Sequence, residues 1–304
     1  MAKDLSVTVA GVKFPNPVIA ASGTYGFGFD YTDLYPLKKL GGISCKGTTI
    51  NPKGGNVPPR IAETPSGILN SVGLQNPGID KFISDYLPVL KKEGNVIIAN
   101  VAGATLDDYV QTCAKLDSTD VDMIELNISC PNVKQGGATW GVTCEGAASV
   151  TKAVRAATKK PIMVKLTPNV TNIVDIAKAV ESEGADCVSL INTLLGMRID
   201  TRTRRPILHN NVGGLSGPAI FPVAVRMVWQ VANAVNIDVV GMGGIATAND
   251  AIEMMLAGAK AIQIGTAIFN DPYAPIKVID GIEEYMTANK IDSLSEIVGK
   301  VQPW

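Results

Sequence analysis

Eight short apolar runs punctuate the chain, each followed by a polar or glycine-containing turn: Val18 to Ala21, Gly42 to Cys45, Val96 to Val101, Met123 to Ile128, Ile162 to Leu166, Cys187 to Ile191, Val239 to Met242 and Ala261 to Ile264. Their lengths and β-branched content predict strands. Helix-length segments with apolar positions every three or four residues separate most of them, as in Asn172 to Glu183, Val223 to Ala234 and Ala248 to Leu256. Such alternation builds a parallel sheet, and eight units predict a closed (β/α)8 TIM barrel. Ahead of them, Leu5 to Val9 and Val12 to Phe14, joined by Ala10-Gly11, predict a β-hairpin that covers the barrel floor. No linker, repeat or low-complexity tract interrupts the pattern, so residues 1–304 are expected to form one domain.

In a barrel of this kind the loops of all eight units converge at the carboxyl ends of the strands, which makes those ends the place to look for chemistry. Here they carry Ser22, Lys46, Asn100, Asn127, Lys165 and Asn192, then Gly243-Gly244 and Gly265-Thr266. Singly, an asparagine there is a turn residue and a lysine reaches for water; together they describe a polar mouth. The last two turns leave backbone N–H groups bare after strands seven and eight, where barrels often hold phosphate. Gly213 to Pro218 could add further donors.

Two connections exceed ordinary loop length. Thr48 to Asn76, rich in proline and glycine, predicts a rigid irregular path and ends in Asn70-Ser-Val-Gly-Leu-Gln-Asn-Pro77. Leu194 to Gly214 holds Arg198, Arg202, Arg204, Arg205 and the single histidine, His209, a segment that suits either an anion or partner, or a solvated basic face. Nothing around His209 marks it as catalytic.

Composition narrows the classes. Lys plus Arg number 27 against 28 Asp plus Glu, so no overall charge draws the chain to nucleic acid or an anionic membrane, and a small ligand is expected. Hydrophobic residues reach 46%, but charged residues or proline break every run short of a membrane span. No charged-then-apolar leader opens the sequence, and cytoplasm is the default location. The cysteines at 45, 113, 130, 144 and 187 stand at least fourteen positions apart, which excludes a closely spaced metal or redox pair and places any iron–sulfur cluster on a partner. Cys130 differs from the rest: it follows a strand, within Asn127-Ile-Ser-Cys-Pro-Asn, and precedes Gly136-Gly137. Alone it fits a small buried hydrophobe as well as a reactive thiol.

Taken together, Ser22-Gly-Thr-Tyr-Gly-Phe-Gly, Ser44-Cys-Lys-Gly-Thr-Thr, Asn70-Ser-Val-Gly-Leu-Gln-Asn-Pro, Asn127-Ile-Ser-Cys-Pro-Asn, Val164-Lys-Leu-Thr-Pro-Asn, Ile191-Asn-Thr, Gly241-Met-Gly-Gly-Ile and Gln263-Ile-Gly-Thr closely resemble the class 1 dihydroorotate dehydrogenases, and within them the B-type catalytic subunit. The motifs span almost the whole chain in family order. The resemblance implies an FMN enzyme of pyrimidine (UMP) synthesis that oxidises dihydroorotate to orotate. It implies that Ser22, Lys46, Gly47, Asn100, Asn127, Lys165, Ile191, Gly217, Gly243, Gly244, Gly265 and Thr266 hold the FMN. Lys46, Asn70, Ser71, Val72, Gly73, Leu74, Asn127, Asn192 and Thr193 would hold the substrate, Cys130 would be the base, and Lys165 the electrostatic partner of the flavin. A homodimeric core joined to a second subunit with FAD and a [2Fe-2S] cluster, a heterotetramer passing electrons to NAD⁺, is implied as well.

Three alternatives stay open at this level. An A-type homodimer would reduce fumarate directly, a flavin-free isomerase or synthase would use the same turns for a sugar phosphate, and a scaffold would keep the fold without chemistry. Class 2 enzymes use a serine base and fit less well.

Overall fold

The computed structural model describes residues 3–129 and 140–304, so Cys130 and the glycines after it lie outside the described residues. Eight parallel strands close into a barrel: β1 (Val18–Ala20), β2 (Gly42–Ser44), β3 (Val96–Val101), β4 (Met123–Asn127), β5 (Ile162–Lys165), β6 (Cys187–Leu190), β7 (Asp238–Met242) and β8 (Ala261–Ile264). Each pairs with its neighbours in chain order, and β8 pairs with β1. Both ends of all eight strands fall within one residue of those the apolar pattern predicts.

The outward residues of these strands, among them Val18, Ile43, Ile97, Ile124, Leu126, Val164, Val188 and Ile262, form the main core with the surrounding helices. Those helices include the helical segment of residues 79–92 and, further along, α1 (Leu106–Asp117), α2 (Cys144–Ala157), α3 (Ile173–Ser182), α4 (Phe221–Ala232), α5 (Ala248–Leu256) and α6 (Ala274–Ala288). In α3 the buried set is Ile173, Ile176, Ala177 and Val180, one stripe of a 3.6-residue period. Side-chain caps fix the starts: Thr105 with Asp108 on α1, Thr143 on α2, Asn172 on α3, and Thr247 with Asp250 on α5.

The predicted hairpin, Val7–Val9 with Val12–Phe14, plugs the amino-terminal end of the barrel. Its turn residues Ala10 and Gly11 both have positive φ, the left-handed geometry a two-residue hairpin needs, and the Ala10 N–H donates to the Asp238 carboxylate at 2.9 Å. The two long connections depart from expectation. Residues 48–76 are not irregular throughout, because Ile61–Thr64 and Gly67–Asn70 pair as antiparallel strands. Gly213–Ser216, noted in the sequence as a source of further backbone donors, is also a strand, and it pairs with Gly67–Asn70 and with Leu194–Gly196. The two insertions thus fold into one four-stranded sheet, and the pairing that joins them, Gly67–Asn70 with Gly213–Ser216, links residues more than 140 apart, beyond the reach of local pattern.

Candidate functional site

Alternation along the barrel strands sets the site out in tiers, because every second side chain faces the interior. The lowest tier is apolar: Ile19, Ile98, Met123, Met163, Cys187, Val240 and Ala261 meet Val9 and Phe14 of the hairpin. Two residues further along the same strands stand Asn100, Glu125, Lys165, Ser189 and Gln263, joined by Ser44 of β2, all buried. Two further again come Lys46, Asn127, Ile191 and Gly265, which line a cavity of about 350 Å³ at the carboxyl end of the barrel.

Glu125 is the centre of the middle tier and was not among the residues the sequence pointed to. Its carboxylate is fully buried. Oε2 accepts from Ser44 Oγ at 2.7 Å and Asn100 Nδ2 at 2.6 Å, while Oε1 accepts from Ser189 Oγ and Gln263 Nε2, each at 2.8 Å. Burial pushes its pKa up, yet the Lys165 ammonium and the donors Ser44, Gln263 and Asn100 outweigh that and hold it below the ordinary carboxylate value. A signal for it existed: an acidic residue inside Met123-Ile-Glu-Leu-Asn, in step with Asn127, can only point into the barrel.

The cavity brings together nearly all the residues named from the sequence. Ser22, Lys46, Gly47, Asn127, Lys165, Ile191, Gly217, Gly243, Gly244, Gly265 and Thr266 line it, as do Asn70, Val72, Gly73, Leu74, Asn192 and Thr193. Two do not. Asn100 lies one tier below, bonded to Glu125, and accepts from Asn127 Nδ2 at 3.3 Å. Ser71 is buried beside the mouth, its hydroxyl without a partner among the described residues. Cys130 falls outside the described residues, immediately after Ser129. His209 is exposed and away from the lining. The four-stranded sheet carries Asn70 to the rim, since Gly67–Asn70 is one of its strands.

Several polar groups at the cavity are unspent. Lys165 is only 4% exposed, and its ammonium makes no ion pair among the described residues; Glu125 acts on it through space. Gln263 gives its amide hydrogen to Glu125, which leaves Oε1 buried without a donor among the described residues. The backbone N–H groups of Gly243, Gly244, Gly265 and Thr266 have no acceptor among the described residues. Helix α5 begins close by, but Asp250 Oδ2 already takes the N–H groups of Ala246 and Thr247, so the free donors are those of the two turns. Gly243 and Gly244 sit at φ 121° and 83°, and a Cβ on Gly244 would stand 2.8 Å from the Gly217 carbonyl oxygen. A buried cation, an acceptor and four bare N–H groups, among the apolar side chains of Ile191, Met242 and Ile245, suit a planar heterocycle bearing both acceptors and an N–H, together with a phosphate.

Of the cysteines described, Cys45, Cys113 and Cys187 are fully buried, and burial drives their thiols up, that of Cys113 to about 12. Those three are packing residues. Cys144 is exposed. No group of three or more His, Cys, Asp or Glu residues that could hold a metal occurs among the described residues, nor does a helix long and apolar enough to cross a membrane.

Residues 4–286 match the family model described as dihydroorotate dehydrogenase. The chain is 54% identical over 292 residues to the dihydroorotate dehydrogenase B (NAD(+)) catalytic subunit of Porphyromonas gingivalis, covering 96% of this chain and 95% of that protein. Proteins of the same name from Bacteroides thetaiotaomicron and Alkaliphilus oremlandii are 54% identical over 300 and 299 residues, in each case covering 98% of this chain and 99% of theirs.

Proposed function

Because this chain belongs to the dihydroorotate dehydrogenase family, we propose that it is the catalytic subunit of a B-type enzyme and oxidises (S)-dihydroorotate to orotate in pyrimidine synthesis. The family is flavin-dependent, and we assign FMN as the flavin of this chain. The observation that carries the assignment is the set of unspent groups at the cavity: the Lys165 ammonium, Gln263 Oε1 and the N–H groups of Gly243, Gly244, Gly265 and Thr266. A flavin ring offers acceptors and one N–H to the first two, and a phosphate monoester suits the last four. With Ser22, Lys46, Gly47, Asn127, Ile191 and Gly217 they form the proposed FMN site, with Asn100 as its support from below.

The oxidation removes a proton from one ring carbon and a hydride from its neighbour. Bound FMN supplies the two-electron acceptor for that hydride. The chain supplies the rest. Lys46 offers a cation for the substrate carboxylate, while Asn70, Asn127, Asn192 and Thr193 offer amide and hydroxyl groups that match a cyclic ureide, and Val72, Gly73 and Leu74 wall it in. Ser71 lies behind this wall. Cys130 takes the proton at Sγ, and with a reference thiol pKa of ~8.5 the rate rises with pH unless the site lowers that value. Lys165 holds a fixed positive charge where negative charge develops.

Electrons leave through a second subunit carrying FAD and a [2Fe-2S] cluster and end on NAD⁺, with two copies of this chain at the core of a heterotetramer. The relatives' shared B-type name supports this over an A-type homodimer that reduces fumarate.

Anaerobic titration of the purified protein with dihydroorotate tests the function: the yellow flavin band bleaches, stoichiometrically with FMN. A colourless protein that takes up no FMN, or a flavin that dihydroorotate leaves oxidised, overturns it. Cys130→Ser keeps FMN and loses most of the reductive half-reaction at neutral pH; full activity in that variant ends the base assignment.

A further inference from the structure

We propose that the Glu125 carboxylate is a positioning residue that fixes the donor–acceptor polarity of Gln263 and Asn100 and, through Asn100, holds the amides of the cavity wall in one consistent network. This rests on the function proposed above only in naming the ligands those amides meet.

An ionised carboxylate accepts and never donates. The four donors on Glu125 therefore have no choice of orientation. Gln263 must turn its N–H to Glu125, which leaves its Oε1 buried without a donor among the described residues. Asn100 must turn Nδ2 to Glu125, which leaves its Oδ1 to accept from Asn127 Nδ2 at 3.3 Å. Asn127 Oδ1 in turn accepts from Ser129 Oγ at 3.0 Å and the Ser129 N–H at 3.3 Å. Asn192 Nδ2 donates to Ser129 Oγ at 2.8 Å, and Asn192 Oδ1 accepts the Thr193 N–H at 2.8 Å. One chain of hydrogen bonds thus runs from Asn192 through Ser129, Asn127 and Asn100 to Glu125, every donor aimed the same way.

The far end cannot reverse, because the Ser129 and Thr193 donors are backbone N–H groups. The near end cannot reverse while residue 125 is an anion. With both ends fixed, the two amides between them hold one orientation, and Asn127 and Asn192, both on the cavity wall, present a set pattern to any ligand. A carboxamide at 125 would put an N–H against a donor, flip Asn100, and leave a buried donor facing a donor further along the chain.

The test uses Glu125→Gln, Asn100→Asp and the pair. The two single changes alter charge at constant shape. The pair moves the carboxylate one residue along the network. The amide nitrogen introduced at position 125 then donates to the carboxylate introduced at position 100, and the amide oxygen at 125 accepts from Ser189 and Gln263. The new carboxylate also accepts from Asn127, so the rest of the chain keeps its direction. In FMN-loaded protein, Glu125→Gln lowers the rate of flavin reduction by dihydroorotate roughly 10²-fold, as misplacement near a reacting centre does, and weakens orotate binding read from the flavin spectrum. The pair recovers most of both losses. Urea unfolding of the FMN-free proteins gives a readout independent of ligand: the pair is more stable than the summed single effects allow. Wild-type reduction rate and orotate affinity in Glu125→Gln would falsify the proposal, as would a pair that fails to fold or merely adds the single losses. Should wild-type flavin not bleach with dihydroorotate, the proposed function fails by itself, and the unfolding cycle still decides the polarity.

Discussion

The floor and the middle of this barrel are built from the same strands, two residues apart, and they are opposites. At the floor Met123, Met163, Cys187 and Ala261 pack with Phe14 in a dry cluster. One tier higher Glu125, Lys165, Ser189 and Gln263 occupy the equivalent positions with equal burial. The lower tier is held by shape and apolar area, so it tolerates exchange of similar volumes. The upper one is held by matched donors, so removing a single partner strands the others. A closed barrel makes both possible: its interior excludes water along its whole length, which rewards methyl groups at the plugged end and strengthens charge at the end that meets ligand.

The sharpest way to break the comparison is to put the middle tier's chemistry in the floor. Met123→Glu buries a carboxylate with no donor to meet it, at a cost of several kcal/mol; we expect no folded protein, or a Tm lowered by ten degrees or more on the scale of about 2–4 °C per kcal/mol. A wild-type melting curve would show that the tiers are not distinct. Phe14→Ala empties the plug and costs about 3–5 kcal/mol in urea unfolding, while flavin reduction per folded molecule stays at the wild-type rate. Loss of that rate would tie the floor to the chemistry.

At the mouth the effects move from stability to rate. Lys165→Ala weakens FMN retention less than it slows flavin reduction by dihydroorotate, which falls by roughly 10²–10³-fold in stopped flow, the usual cost of deleting a fixed electrostatic partner; an unchanged rate would remove Lys165 from the mechanism. Gly265→Ala is milder. A Cβ there meets only Ala21 and Thr24, no closer than 3.6 Å, so the protein itself accepts it. Both neighbours line the cavity, and overpacking there costs about 1–3 kcal/mol of FMN affinity with unfolding of the FMN-free protein unchanged. Equal FMN affinity would place the flavin elsewhere.

The smallest effect is in pH. Glu125 titrates below the ordinary carboxylate value of 4.5 when folded. Its contribution is therefore complete above that value and is lost as pH falls through the folded-state pKa. The stability gap between wild type and Glu125→Gln should hold level across neutral and alkaline pH and narrow only in acid. A gap that closes near neutrality would mean the carboxylate is not ionised.

Much of this molecule was legible from pattern alone. Helix α5 begins and ends where the periodicity of Ala248 to Leu256 placed it, and the floor hairpin forms around Ala10-Gly11 because that turn is local chemistry. At 48–76 the Ile61–Thr64 and Gly67–Asn70 hairpin closes locally over two residues that the proline- and glycine-rich reading passes over, and only the pairing of Gly67–Asn70 with Gly213–Ser216 depends on a partner remote in sequence. Asn100 is counted with the cavity from its place near the end of a strand, but β3 runs on to Val101 and its register pairs Asn100 with Glu125, one tier deeper.

The sequence by itself determined the barrel, its direction and the polar character of its mouth, since strand period, helix period and turn residues act over a few neighbours. Only the tertiary structure decided which polar residues meet. Ser44, Asn100, Ser189 and Gln263 converge on one carboxylate from four different strands, and no local pattern encodes a contact that exists only once the sheet has closed.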